Sequence, residues 1–272
     1  MKLTKNLRKM ILAGAALAVC TGFALNAQAQ DCTVDNWDVQ QGLADSDTGT
    51  QGANNRRYGG PCGLRVELDG MDRYVVDESP ATENSYIARF YAFLDNAGSD
   101  PVLLFAATDG TDDQVQVWYN DPAAGDVTLR AYDSSNTAHD SSVAVGSGWH
   151  SIEFDWVADS NAEIAFIVDG DEQSPLNIDT DGLTINEAML GNLQGADGGS
   201  IDFDDFDSRR SERPGRLLVG DANSDGEVTL ADVSSVSDEV FDSIYSLGQP
   251  DCNEDGEITL ADVACIADIV FD

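Results

Sequence analysis

The sequence predicts a mainly β chain, an antiparallel β-sandwich followed by a small α-helical module. Between residues 30 and 208 apolar side chains recur at every second position, and turn residues punctuate the runs. No stretch of that region keeps an apolar stripe at helical spacing for three turns. From residue 220 to 272 the chain instead repeats itself, each copy joining an acidic loop to an apolar run that steps at helical intervals.

The strands follow in order. Leu64, Val66 and Leu68 alternate with Arg65 and Glu67, which places one face of a strand in a core. Val115, Val117 and Tyr119 alternate with Gln114, Gln116 and Trp118, and Val127, Leu129 and Ala131 with Thr128, Arg130 and Tyr132. Ile152, Phe154 and Trp156 oppose Ser151, Glu153 and Asp155; Ile164, Phe166 and Val168 continue the pattern. Asp109-Gly110, Asp169-Gly170 and Asp181-Gly182 supply turns between strands. If the second and third of these strands pair as a hairpin, their polar faces gather Gln114, Gln116, Trp118, Thr128, Arg130 and Tyr132. A ring flanked by amide and guanidinium groups suits a sugar, which stacks its C–H face and hydrogen-bonds through its hydroxyls.

The C-terminal repeat carries metal-ligand spacing. Both copies fit D-x-N-x-D-G-x5-D, the EF-hand loop pattern with Asp in place of Glu at the twelfth position. Oxygens at positions one, three and five converge on a hard cation, glycine at six permits the turn, and the twelfth carboxylate closes the cage. The candidate ligands are Asp221, Asn223, Asp225, Glu227, Thr229 and Asp232 in the first loop. Asp251, Asn253, Asp255, Glu257, Thr259 and Asp262 repeat them in the second. Leu230-Ala231-Asp232-Val233 recurs as Leu260-Ala261-Asp262-Val263, and Val240-Phe241-Asp242 as Val270-Phe271-Asp272. Gly248 and Pro250 leave no room for a helix before the second loop. A calcium loop with one following helix, duplicated, resembles the type I dockerin domain over residues 217–272. The resemblance implies two calcium ions and a cohesin-like or other extracellular protein partner. That partner would meet the helix starts at Leu230, Ala231, Leu260 and Ala261. The dockerin pattern usually carries hydroxyls at these loop positions ten and eleven, so the chain departs from it there.

Within residues 31–208, three segments are similar to the late strands of laminin-G or concanavalin-like jelly rolls. They are Trp149-His150-Ser151-Ile152-Glu153-Phe154, Ile167-Val168-Asp169-Gly170 and Ile201-Asp202-Phe203-Asp204-Asp205-Phe206. Glucanases on that fold carry E-x-D-x-x-E, and Glu153 and Asp155 offer the first two acids with Ala158 in place of the third. One carboxylate of the pair is therefore missing, and Glu153 and Asp155 read as solvated acids on an outer face. His139 and His150 have no nearby Cys or His for a metal cluster. Asp202, Asp204, Asp205 and Asp207 read as a solvated strand edge, with Asp204 or Asp205 as alternative ligands for a third calcium ion. Arg209, Arg210, Arg213 and Arg216 mark 209–219 as a basic interdomain linker open to proteolysis.

Lys2, Lys5, Arg8 and Lys9, an apolar run from Met10 and Ala27-Gln28-Ala29 describe a secretory signal peptide over residues 1–29. Secretion makes disulfides the expected state of Cys32, Cys62, Cys252 and Cys265, with Cys32–Cys62 and Cys252–Cys265 the simplest pairing and free buried thiols the alternative. The chain carries a formal charge of −36, and loss of the signal removes four cations and takes it to −40. Such a charge repels nucleic acid and anionic membranes. These observations predict a secreted calcium-binding protein whose sandwich (residues 30–208) recognises carbohydrate or protein without catalysis. Its C-terminal module (residues 220–272) would dock it to a partner around extracellular polysaccharide. The alternative is a glycoside hydrolase or lyase working through the jelly roll.

Overall fold

A computed structural model describes residues 32–49 and 56–272; the signal segment and its cleavage pattern lie outside them. The early strands are β1 (Val39–Gln41), β2 (Thr48–Gly49), β3 (Gly63–Asp69), β4 (Arg73–Asp77), β5 (Ser85–Phe93) and β6 (Val102–Thr108). Next come β7 (Asp113–Tyr119), β8 (Asp126–Tyr132), β9 (Ala138–Ala144), β10 (Trp149–Val157) and β11 (Ala162–Val168). Then follow β12 (Asp171–Glu172), β13 (Leu176–Ile178), β14 (Glu187–Asn192) and β15 (Asp197–Arg209). Two helices close the chain, α1 (Leu230–Asp242) and α2 (Leu260–Phe271).

The strands form two antiparallel sheets in a jelly-roll-like sandwich. One runs β1-β4-β14-β6-β7-β8-β9; the other runs β12-β11-β10-β5-β15-β3-β2, with β13 beside β11. The alternating residues behave as their period requires: Val115, Val117, Val127, Leu129, Ile152, Phe154 and Trp156 are all buried in the core between the sheets. Phe105 is central there, 5.3 Å from the Phe154 ring and 5.9 Å from that of Phe90.

Strands β5 and β6 carry continuous buried runs rather than alternation, so period two does not reveal them. Both faces of β5 are covered. Phe90 and Ala88 face the core, while Tyr91 and Phe93 pack with Tyr58 and Trp149 in a second cluster beneath Leu217. A strand buried on two sides has no solvent face to mark with polar residues.

The acidic run in β15 is not a solvated edge, because β15 pairs with β3 on one side and β5 on the other. Asp202 is fully buried and accepts two 2.8 Å bonds from Arg65. Asp204 accepts N–H bonds from Tyr58 (2.6 Å), Gly59 (3.1 Å) and Asp205 (2.8 Å), so backbone donors hold one of the two carboxylates considered for a third cation, while Oδ2 of the other, Asp205, is buried without a hydrogen bond among the described residues. Burial, and then the charge of Asp205, push its carboxyl well above the usual range.

Glu153 is likewise buried rather than solvated, and its Oε2 accepts the Gly215 N–H at 2.7 Å. The covering segment is the one expected to be a free linker. Arg210 pairs with Glu83 (3.2 Å) and Arg213 with Asp155 (3.2 Å). Arg89 donates to the Gly215 carbonyl (2.9 Å), and the Leu217 N–H donates to the Tyr91 hydroxyl (2.7 Å). The arginines of this strap find acids just before β5 (Glu83) and on β10 (Asp155), so charge pairing lays it down beside these strands. His150, too, is buried, bonded to Asp169 at 2.8 Å and to the Gly146 carbonyl at 3.1 Å.

Both disulfides are formed, Cys32–Cys62 and Cys252–Cys265. The second closes a 13-residue separation between loop position two and α2. Replacing Cys252 and Cys265 with serine is expected to cost about 3 kcal/mol through the freed unfolded chain. Urea unfolding of the double variant checks this, and an unchanged midpoint would contradict it.

Candidate functional site

The two C-terminal loops adopt one conformation twice. Ser224 and Gly226 take φ of 62° and 88°, and Glu254 and Gly256 take 59° and 84°. Positive φ at the fourth and sixth positions coils the backbone inward, and glycine at the sixth does so without Cβ strain. Asp221 accepts from the N–H groups of Asp225 (3.0 Å) and Gly226 (2.8 Å); Asp251 accepts from Asp255 (3.1 Å) and Gly256 (2.8 Å). Asn223 and Asn253 each accept from the residue two further on, and Asp225 and Asp255 do the same. The twelfth-position acids return to the loop: Asp232 accepts from Asn223 (3.0 Å) and Thr229 (2.8 Å), and Asp262 from Asn253 (3.3 Å) and Thr259 (2.8 Å). Thr229 and Thr259 cap α1 and α2, accepting from Ala231 and Ala261 in capping boxes with those acids.

The donor chemistry of each loop fits calcium. Every side-chain ligand candidate presents oxygen, and the pattern leaves a main-chain carbonyl at position seven. Asp232, Asp251 and Asp262 are fully buried. The module contains no lysine or arginine, and Arg56, Arg57 and Arg216, which reach it from outside, pair with Asp202, Glu239 and Glu254 instead. Burial, and then the Asp262 charge, push the Asp251 carboxyl up to about 8. Among the described residues no three carboxylate, thiolate or imidazole groups are already gathered as a metal cluster. In both loops the carboxylates are turned onto their own backbone N–H groups.

The module does not hang free. Arg57, wholly buried, forms an ion pair with Glu239 of α1, and Glu239 also accepts the Ser246 N–H at 2.8 Å. Glu254, at position four of the second loop, accepts the Tyr58 hydroxyl at 2.6 Å and pairs with Arg216. Its main-chain carbonyl accepts the Trp149 N–H at 3.1 Å. Tyr58 in turn stacks on Tyr91 at 3.7 Å. The second loop is thus pressed onto the outer face of the β5–β10 sheet. Leu230 and Leu260 remain 58% and 57% exposed, and Ala231 and Ala261 beside them are exposed as well. The module's own core is built from Ala222, Val236, Cys252 and Ile266, without either leucine.

On the other sheet, β7 and β8 do form the expected hairpin, with Gln116 opposite Arg130 and Trp118 opposite Thr128. Gln116 Oε1 accepts from both the Trp118 indole N–H (2.8 Å) and the Tyr132 hydroxyl (3.2 Å). Arg130 lies 5.6 Å from the centre of the Trp118 ring. Gln114 stands apart; it is buried and donates to the Asp112 carbonyl at 3.0 Å. Three acids that the sequence pattern did not single out complete the face. Asp140 on β9 takes two 2.8 Å bonds from Arg130, Asp121 takes a third at 3.1 Å, and Asp113 accepts from Gln116 at 2.6 Å. Strand β9 has no apolar alternation to mark it, so only the pairing of Arg130 with Asp140 reveals this part of the face. A cavity of about 210 Å³ beneath Trp37 and Phe206 contains none of the loop or sheet-face residues. No helix among the described residues is long and apolar enough to cross a membrane.

No protein-family model matches the chain, and no curated protein matches it. Solved structures similar to it are jelly-roll β-sandwich domains. The binding domain of botulinum neurotoxin serotype G is 10% identical with a TM-score of 0.46, over 61% of this chain and 42% of that one. The receptor-binding domain of botulinum neurotoxin D is 10% identical with a TM-score of 0.43, over 55% and 40%. The chain therefore spans less than half the length of these neurotoxin domains. The endo-β-1,4-glucuronan lyase of the fungus Trichoderma reesei is 12% identical with a TM-score of 0.49, over 66% of this chain and 94% of that one.

Proposed function

We propose that this chain is a secreted, calcium-binding recognition and assembly protein. In this reading the two C-terminal loops each hold one calcium ion, and the module they build is dockerin-like. Its exposed helix starts meet an extracellular, cohesin-like protein, while the β7–β8 face of the sandwich binds carbohydrate. The observation that carries the reading is the pair of loops with one repeated hydrogen-bond pattern, whose buried acids have no arginine or lysine partner among the described residues. Oxygen donors around an uncompensated negative charge suit a hard divalent cation. When bound, the ion would neutralise that charge; Asp221, Asn223, Asp225 and Asp232, with their counterparts Asp251, Asn253, Asp255 and Asp262, would hold it.

Calorimetric titration of the metal-stripped protein with calcium is expected to give two equivalents. Asp221→Ala and Asp251→Ala should each remove one. A wild-type stoichiometry of zero would sink the calcium reading.

The helix starts have their own test. An exposed leucine repeated at the same place in both copies presents apolar surface that a partner would cover. Leu230→Asp with Leu260→Asp is expected to leave the calcium-loaded melting temperature within about 2 °C of wild type, since exposed sites contribute little to stability. The same variant should lose calcium-dependent retention of its extracellular partner. Retention equal to wild type would place the interface elsewhere.

A further inference from the structure

We propose that the glycan bound by the β7–β8 face is an uncharged polysaccharide, not a uronate or other anionic polymer; the proposal rests on reading this face as a carbohydrate platform. The reason lies in which polar groups are already spent. The strands of this sheet carry three groups able to bear positive charge, Arg73, Arg130 and His139. Each is bonded to a carboxylate. Arg73 is held by Asp69 at 3.0 and 2.7 Å, and His139 by Asp133 at 3.0 Å. Arg130 is clasped by both oxygens of Asp140 and reached by Asp121. A sugar carboxylate arriving here would meet two aspartates on the one arginine and a third on Gln116, in a chain whose net charge is strongly negative. Like charge at contact distance opposes binding.

The aromatic donors are spent as well. The Trp118 N–H and the Tyr132 O–H both point to Gln116, so neither is offered outward. The acceptors are in surplus, since an ionised carboxylate has about four lone-pair sites. Asp113, Asp121 and Asp140 each use fewer than four of these in their bonds to Gln116 and Arg130. An anionic group brings only acceptors, and the nitrogen donors left on this face, Arg130 Nη1 and the second amide hydrogen of Gln116, belong to side chains already held by Asp140, Asp121 and Asp113. A neutral polyol brings hydroxyl donors, and its ring C–H face matches the half-exposed Trp118 indole. Gln116 then acts as a positioning residue: one amide oxygen fixes both the indole and the phenol before any sugar arrives, which lowers the ordering cost of binding.

The test uses the full secreted chain, loaded with calcium, in affinity electrophoresis and calorimetry. The probes are neutral glucan, mannan and xylan oligosaccharides and, in parallel, polyglucuronate and alginate. Binding to at least one neutral polymer and to neither uronan is expected. Trp118→Ala should weaken the neutral ligand about tenfold or more, as loss of an aromatic anchor does. Trp118→Phe, which keeps a ring, should stay within about threefold and guards against a folding defect. Asp140→Asn with Asp121→Asn should strip the acids from Arg130 and create measurable uronan affinity. Wild-type binding to a uronan in preference to neutral glycans would overturn the charge argument while leaving the face a sugar site. Binding to none of the probes would overturn the carbohydrate reading itself, and the proposal with it.

Discussion

Removing calcium is expected to lower the melting temperature of the whole chain by about 15–30 °C. At a metal concentration about a thousandfold above Kd, each proposed site would add about 4 kcal/mol to the native state. For a chain of this size each kcal/mol corresponds to about 2–4 °C. The effect should reach the sandwich because the second loop is part of its surface. Glu254 ties that loop to Tyr58, Arg216 and Trp149, and Gly256 lies against Phe93 and Arg56. Asp251→Ala is therefore expected to destabilise more than Asp221→Ala and to change the near-ultraviolet signal of the Tyr58, Tyr91 and Trp149 cluster. Calorimetric scans with calcium and with chelator decide the matter. A shift below about 3 °C, less than one site should give, would count against metal-coupled stability. Equal effects of the two substitutions would count against the coupling of the second loop to the sheet.

Arg57→Ala is expected to cost about 3–5 kcal/mol, because it leaves Glu239 buried with its cation removed. The pair is fully enclosed between the sandwich and α1: the Arg57 side chain is 0% exposed and that of Glu239 5%. Arg57 also donates to the Gly60 carbonyl and lies 5.8 Å from the centre of the Tyr245 ring, so packing is lost along with charge. Replacing both partners, Arg57→Met with Glu239→Leu, should recover most of the loss, since neither charge is then stranded. Urea unfolding of the single and double variants measures the difference. An Arg57→Ala protein within about 1 kcal/mol of wild type would show that the module is not anchored through this pair.

Much of this was legible from residue spacing. Period two announced β3, β7, β8, β10 and β11, because a half-buried strand must alternate its faces. The repeat announced α1 and α2, because each loop is followed by an apolar run at helical intervals; the capping boxes of Thr229 with Asp232 and Thr259 with Asp262 became visible only in the structure. The hairpin brought Gln116, Trp118, Arg130 and Tyr132 together because their strands are neighbours in the chain. The simplest cysteine pairing was also the one formed. Gln114 marks a limit of the same reasoning: it shares the alternation of its strand but turns to the Asp112 carbonyl instead of joining the face.

By itself the sequence determined the elements that local spacing controls: a two-faced sheet, two helices and two acidic loops. Tertiary structure alone decided which charges are buried and what covers them. Glu153 and Asp202 read as solvated acids until the strap and the neighbouring strands enclose them. The segment expected to be a linker becomes a strap because its arginines meet Glu83 and Asp155. The bonds that fix the module in place join Arg57 to Glu239 across 182 positions and Tyr58 to Glu254 across 196. No periodicity records such a contact. It exists only once the core has formed and removed those side chains from water, where leaving a charge unpaired costs several kcal/mol.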